Sequence, residues 1–134
     1  MDAALTDQVR QRARGLCEYC RLPEAHTVIA FEVDHVIPRK HAGPTRLSNL
    51  AWSCFYCNSF KGSDLAGRDL RTRKLTALFN PRRHKWDRHF RWDGPSLVGR
   101  TAIGRVTVAV LQINHPARVA HRELLIRLGV FPPR

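Results

Sequence analysis

The sequence predicts a small α+β fold, and three observations carry that reading. Four cysteines stand as two identical pairs, Cys17-x-x-Cys20 and Cys54-x-x-Cys57. Between the pairs lie an alternating apolar run, a loop and a second short apolar run, with a short helical stretch beginning at the second pair. Helical patterns flank this centre near the N-terminus and beyond residue 101. With 134 residues, a single domain over 1–134 is expected. Its core would span about 14–64, with a basic linker and helical extension over about 65–134.

Each element has a local reason. Thr6 is placed to cap a first helix whose Val9, Ala13 and Leu16 share one side and which ends near Gly15. From His26 to Val33 the chain reads HTVIAFEV, in which Ile29, Phe31 and Val33 alternate with Ala30 and Glu32, the pattern of a half-buried strand. Pro38 to Ser48 carries two prolines and a glycine and reads as a loop. Leu50-Ala51-Trp52-Ser53 suits a second strand, and a helix from Phe55 would stop at Gly62. Arg68 to Arg91 reads as a basic linker with aromatic residues interleaved. Thr101 to Ile113 fits either a strand (Val106, Val108, Val110) or a helix capped by Thr101 with Ile103, Val106, Val110 and Ile113 on one face. Asn114 and Pro116 open a last helix through Leu128, ended by Gly129 and Pro132.

Composition narrows the partners. Lys and Arg total 23 against 11 Asp and Glu, a formal charge of +12. Such a surface attracts polyanions, of which nucleic acid is the commonest; the plainer alternative is charge that only maintains solubility. No apolar stretch reaches bilayer-spanning length, so no membrane partner is expected. The start MDAALTDQVRQRARG has no apolar segment of the kind a signal peptide needs. A cytoplasmic setting with reduced cysteines is the expectation. Two C-x-x-C pairs can close a tetrahedral thiolate site, and a structural Zn²⁺ on Cys17, Cys20, Cys54 and Cys57 is the reading adopted. Disulfides need an oxidising compartment, and a thioredoxin-like motif explains only one pair.

The stretch FEVDHVIPRK lies inside the 33-residue gap between the pairs. Taken alone, its Asp34-His35 is an ordinary polar pair at a strand end. In combination, Cys17-x-x-Cys20, Asp34-His35-x-x-Pro38, Ala42-Gly43, Ser48-Asn49-Leu50 and Cys54-x-x-Cys57-Asn58-x-x-Lys61-Gly62 resemble the HNH endonuclease family over about residues 14 to 64. The later run, from Phe79-Asn80-Pro81-Arg82 through Trp86, His89-Phe90 and Gly104-Arg105 to Asn114, looks like the C-terminal extension of one bacterial subgroup of that family.

The resemblance implies a ββα-metal finger, two short strands and a helix around one catalytic cation, with Asn58 in the third motif position (an H-N-N variant). It implies a metal-dependent endonuclease hydrolysing DNA, duplex or single-stranded, to 3′-hydroxyl and 5′-phosphate ends. His35 would be the general base, since its pKa lies near neutrality. Asp34 and Asn58 would offer the oxygens that Mg²⁺ or Mn²⁺ prefers. Asn49 would brace the loop carrying His35. Arg39, Lys40, Lys61, Arg82 and Arg83 are candidate phosphate contacts. The alternative is a catalytically silent, zinc-stapled module that binds nucleic acid without cutting; a third reading is a protein–protein adaptor. Oligomeric state is not legible in the sequence.

Overall fold

A computed structural model describes residues 1–134. Helix α1 (Ala3–Arg12) is capped by Asp2, whose carboxylate accepts from Ala4 N at 3.0 Å. The expected cap Thr6 lies inside the helix instead and donates to Asp2 O at 3.1 Å. Two guanidinium bonds from Arg12, to Leu47 O (2.8 Å) and Leu50 O (2.5 Å), fasten α1 over the start of the second strand.

Strand β1 (Glu32–His35) pairs antiparallel with β2 (Leu50–Ser53), from Glu32 opposite Ser53 to His35 opposite Leu50. The alternation over 26–33 predicts a longer, earlier strand. The observed one begins at Glu32 because β2 ends there: beyond Ser53 the chain has already turned into the second cysteine pair, so no ladder partner remains. Glu24–His26 forms a 3₁₀ turn, and Val28 stands fully exposed. Helix α2 (Phe55–Lys61) follows, with Cys54 as N-cap and Gly62, at φ +50°, as C-cap. β1, β2 and α2 thus form a ββα unit.

The stretch expected to be a linker is built structure. β3 (Ala66–Arg68) and β4 (Leu75–Ala77) make one hairpin, α3 (Trp86–His89) is a single turn, and β5 (Phe90–Asp93) with β6 (Ser96–Gly99) makes another hairpin. Strands of three or four residues are too short for alternation to stand out from the arginines around them, which is why the pattern is silent. Thr101 resolves the next ambiguity in favour of helix. Its hydroxyl caps α4 (Ala102–Val110) by accepting from Gly104 N at 3.1 Å. Helix α5 (Pro116–Arg127) has Pro116 in its first turn, where a missing N–H costs nothing, and His115 as N-cap.

The extension is bonded to the finger. Trp86 and Phe90 are buried among Tyr19, Phe79 and Trp92, and Trp86 Nε1 donates to Tyr19 O at 2.8 Å. The β3–β4 hairpin lies against α4, where Arg105 grips the buried Asp69 through two bonds of 3.0 Å. One apolar core runs from Val9 on α1 to Phe131 after α5. No helix is long and apolar enough to cross a membrane.

Candidate active site and zinc centre

The cysteine pairs converge. Their four Sγ atoms lie within 4.8 Å of one another, all four residues are buried, and Cys20 Sγ sits 3.7 Å from Cys54 Sγ. Zinc–sulfur bonds of about 2.3 Å in a tetrahedron require sulfurs about 3.8 Å apart, so the residues fit the metal. Each pair folds its backbone onto its own first sulfur, with Cys20 N donating to Cys17 Sγ (3.5 Å) and Cys57 N to Cys54 Sγ (3.4 Å). A divalent cation gives four buried cysteines a reason to gather at tetrahedral spacing. Residues 24–26 pass nearby, but His26 is not among the converging ligands.

The ββα unit sets the second group of residues by two periodicities. Glu32 and Asp34 are two apart on β1 and so share a face; Asn58 and Lys61 are three apart on α2 and so share another. The faces meet. Asn58 Nδ2 donates to the Glu32 carboxylate, and Lys61 Nζ donates to Asp34 Oδ1 at 3.1 Å and to His35 O at 3.0 Å. Tyr19, inside the first cysteine pair, donates its hydroxyl to Asp34 Oδ2 at 2.5 Å. Asp34 is 4% exposed and Lys61 2%. Burial raises the Asp34 pKa from its ordinary value, outweighing the opposing pull of Lys61 and Tyr19.

His35 ends β1 and is partly exposed, with Nε2 sharing a 2.8 Å hydrogen bond with the Thr45 hydroxyl. Partial burial, then the nearby Arg39, lower its pKa, which favours the neutral imidazole at neutral pH. Asn49 ties together the two ends of the loop from Val36 to Asn49. That side chain accepts from Ile37 N (2.9 Å) and donates to Ile37 O and Pro44 O (2.9 Å each). Val36 N donates to the Asn49 backbone carbonyl at 2.9 Å. Gly43 makes the loop possible: a Cβ there would fall 1.7 Å from Ile37 O and 2.9 Å from Asn49 Nδ2.

His35, Asp34, Asn58, Arg39 and Lys40 line one open depression of about 280 Å³. Arg39 and Lys40 are exposed at its rim. The other expected phosphate contacts divide. Lys61 is buried in its pair with Asp34 and reaches no solvent phosphate as placed. Arg82 is held by Glu18, its side chain 15% exposed, whereas Arg83 is exposed. The oxygen donors suit a hard divalent cation in kind: Asn58 Oδ1 accepts no hydrogen bond within the protein, and Glu32 lies against Asn58. Both Asp34 oxygens, however, are taken by Tyr19 and Lys61, so a cation on Asp34 would replace the Lys61 ammonium.

Two residues of consequence carry no motif signal. Tyr19 is visible in sequence only as the filler of C-x-x-C. Glu32 reads as the polar side of an alternating strand, although its two-residue offset from Asp34 places it on the same face.

These features, a ββα unit with a four-cysteine cluster at its back and a histidine at its mouth, define a zinc-framed finger. Residues 17–64 match the family model of the HNH endonuclease. That segment begins at the first zinc cysteine and ends just past α2, so it covers the finger and leaves α1 and the whole extension outside it. No curated protein and no solved structure is similar enough to the chain to match it.

Proposed function

We propose that this protein is a metal-dependent HNH endonuclease that hydrolyses phosphodiester bonds in DNA. The observation that carries the reading is the depression lined by His35, Asp34 and Asn58 together with Arg39 and Lys40. In the neutral tautomer whose Nε2–H donates to Thr45 Oγ1, the His35 ring keeps Nδ1 to take the proton from an attacking water. Asn49 holds the ring's loop at both ends, so the imidazole does not wander from the phosphate. Arg39 and Lys40 position the backbone of the substrate without reading its sequence. Asp34 and Asn58 would hold Mg²⁺ or Mn²⁺, a hard cation that offsets charge on the phosphoryl and leaving oxygens when bound.

One observation favours a second reading. Lys61 occupies the place at Asp34 that a cation would need, as expected of a silent module that binds nucleic acid without cutting it. Plasmid nicking separates the two. Purified protein with Mg²⁺ or Mn²⁺ cleaves, and a His35→Ala variant with unchanged zinc content does not. Equal cleavage by both proteins, or none by either, defeats the nuclease reading.

A further inference from the structure

The zinc cysteines meet one side chain from far along the chain. Arg118, on α5 and 61 residues after Cys57, places Nη2 at 3.0 Å from Cys57 Sγ and 3.7 Å from Cys54 Sγ. It is 7% exposed, and Nη1 is spent on Leu111 O (2.8 Å) and Gln112 O (3.2 Å), so the guanidinium is held in place from both ends. One helical turn on, Arg122 is equally buried but donates to the backbone carbonyls of Pro95 and Ile113 and to Asn114 Oδ1, and makes no bond to sulfur.

A zinc ion with four thiolates keeps two net negative charges. Buried as these cysteines are, that charge is costly unless something compensates it, and the backbone amides of Cys20 and Cys57, which donate to Cys17 Sγ and Cys54 Sγ, are weak, neutral donors. A guanidinium stays protonated at any working pH and brings a full positive charge. From this geometry we infer that Arg118 is the counter-ion of the zinc centre. It is a positioning residue that draws electron density from the second-pair thiolates and slows loss of the metal. The centre is therefore not complete within residues 17–64: half of its net charge is offset from the C-terminal helix. The inference rests on the structural-zinc reading of the four cysteines.

Metal retention tests it, with no reference to cleavage. Zinc stoichiometry of the wild-type chain comes first; a chain that folds without zinc overturns both the zinc reading and this inference. Given zinc, chelator competition on Arg118→Met should show a loss of affinity of about tenfold to a hundredfold, the range for removing a partner of a ligand. Arg118→Lys, which keeps the charge but not the fork, should fall between. The Co²⁺-substituted protein supplies the signature that mere destabilisation does not: the sulfur-to-cobalt charge-transfer band should move to longer wavelength in Arg118→Met, because the sulfur lone pairs are no longer stabilised. Arg122→Met is the control: also buried and one helical turn away, but bonded to carbonyls and Asn114 instead of sulfur, it should shift band and affinity much less than Arg118→Met. Wild-type affinity in Arg118→Met, or the same loss in Arg122→Met, overturns the inference while leaving the zinc reading intact. If Arg118→Met does not fold, Arg118→Lys decides: an unshifted band with wild-type retention refutes the role.

Discussion

Tyr19 donates its hydroxyl to Asp34 at 2.5 Å, joining the interior of the first zinc pair to the carboxylate at the proposed site. Cys17 and Cys20 flank Tyr19, so a metal held by the cysteine pairs would also fix the phenol, which in turn holds the carboxylate. Tyr19→Phe keeps the buried ring and removes only that bond, leaving Asp34 Oδ2 without a partner. The expected cost is about 1–3 kcal/mol of stability, with zinc content unchanged and plasmid cleavage reduced. Urea denaturation, metal analysis and nicking assays measure the three separately.

Asp34 and Lys61 form a pair from which solvent is almost absent, their side chains 4% and 2% exposed. Removing one partner leaves the other buried and unmatched. Lys61→Met should destabilise the fold by about 3–5 kcal/mol, and Asp34→Asn in the same chain should recover part of that loss. Additive effects of the two substitutions in denaturant melts would show that the pair is not coupled.

Asn49 both donates and accepts in bracing the loop beside His35. Asn49→Asp can still accept from Ile37 N but has nothing to donate to Ile37 O or Pro44 O. Gly43→Ala strikes the same loop from the other side. Either change should cut cleavage by on the order of a hundredfold, the effect of displacing a reacting group by about 1 Å. Zinc should stay bound in both. Wild-type cleavage in both variants would remove Asn49 from the proposed site.

Acid should loosen the extension at Asp69. Arg105, with help from Thr72, holds the Asp69 carboxyl well below the usual carboxylate range. In the unfolded chain the same group titrates near 3.9. Below about pH 5 the folded state therefore binds fewer protons than the unfolded one, and the stabilisation, complete above that pH, is lost as pH falls through the folded pKa. Asp69→Asn should be less stable than wild type at neutral pH and should lose less between pH 4 and pH 2. Thermal melts across that range measure both.

The finger is legible in the sequence because its chemistry is local. Two C-x-x-C pairs, Asp34-His35 and Asn58-x-x-Lys61 announce themselves by spacings that a strand or one helical turn imposes. What is not legible depends on partners distant in sequence. The length of β1 is set by where β2 runs out, and the loss of Lys61 as a phosphate contact follows from Asp34 lying across from it. The β3–β4 and β5–β6 hairpins hide among arginines. Their burial comes from α4 and from the aromatic residues around Trp86, and neither leaves an alternating pattern. Arg118 looks like any helix-surface arginine until α5 is docked.

The bond from Arg118 to Cys57 also orders events in time. A ribosome adds about 5–20 residues per second, so the 61 residues between these partners take roughly 3–12 s to appear. Throughout that interval both cysteine pairs are already made, while the helix that shields them is not. A nascent finger that takes up zinc would therefore hold it, or wait for it, with a face of the cysteine cluster still open to chelators and oxidants.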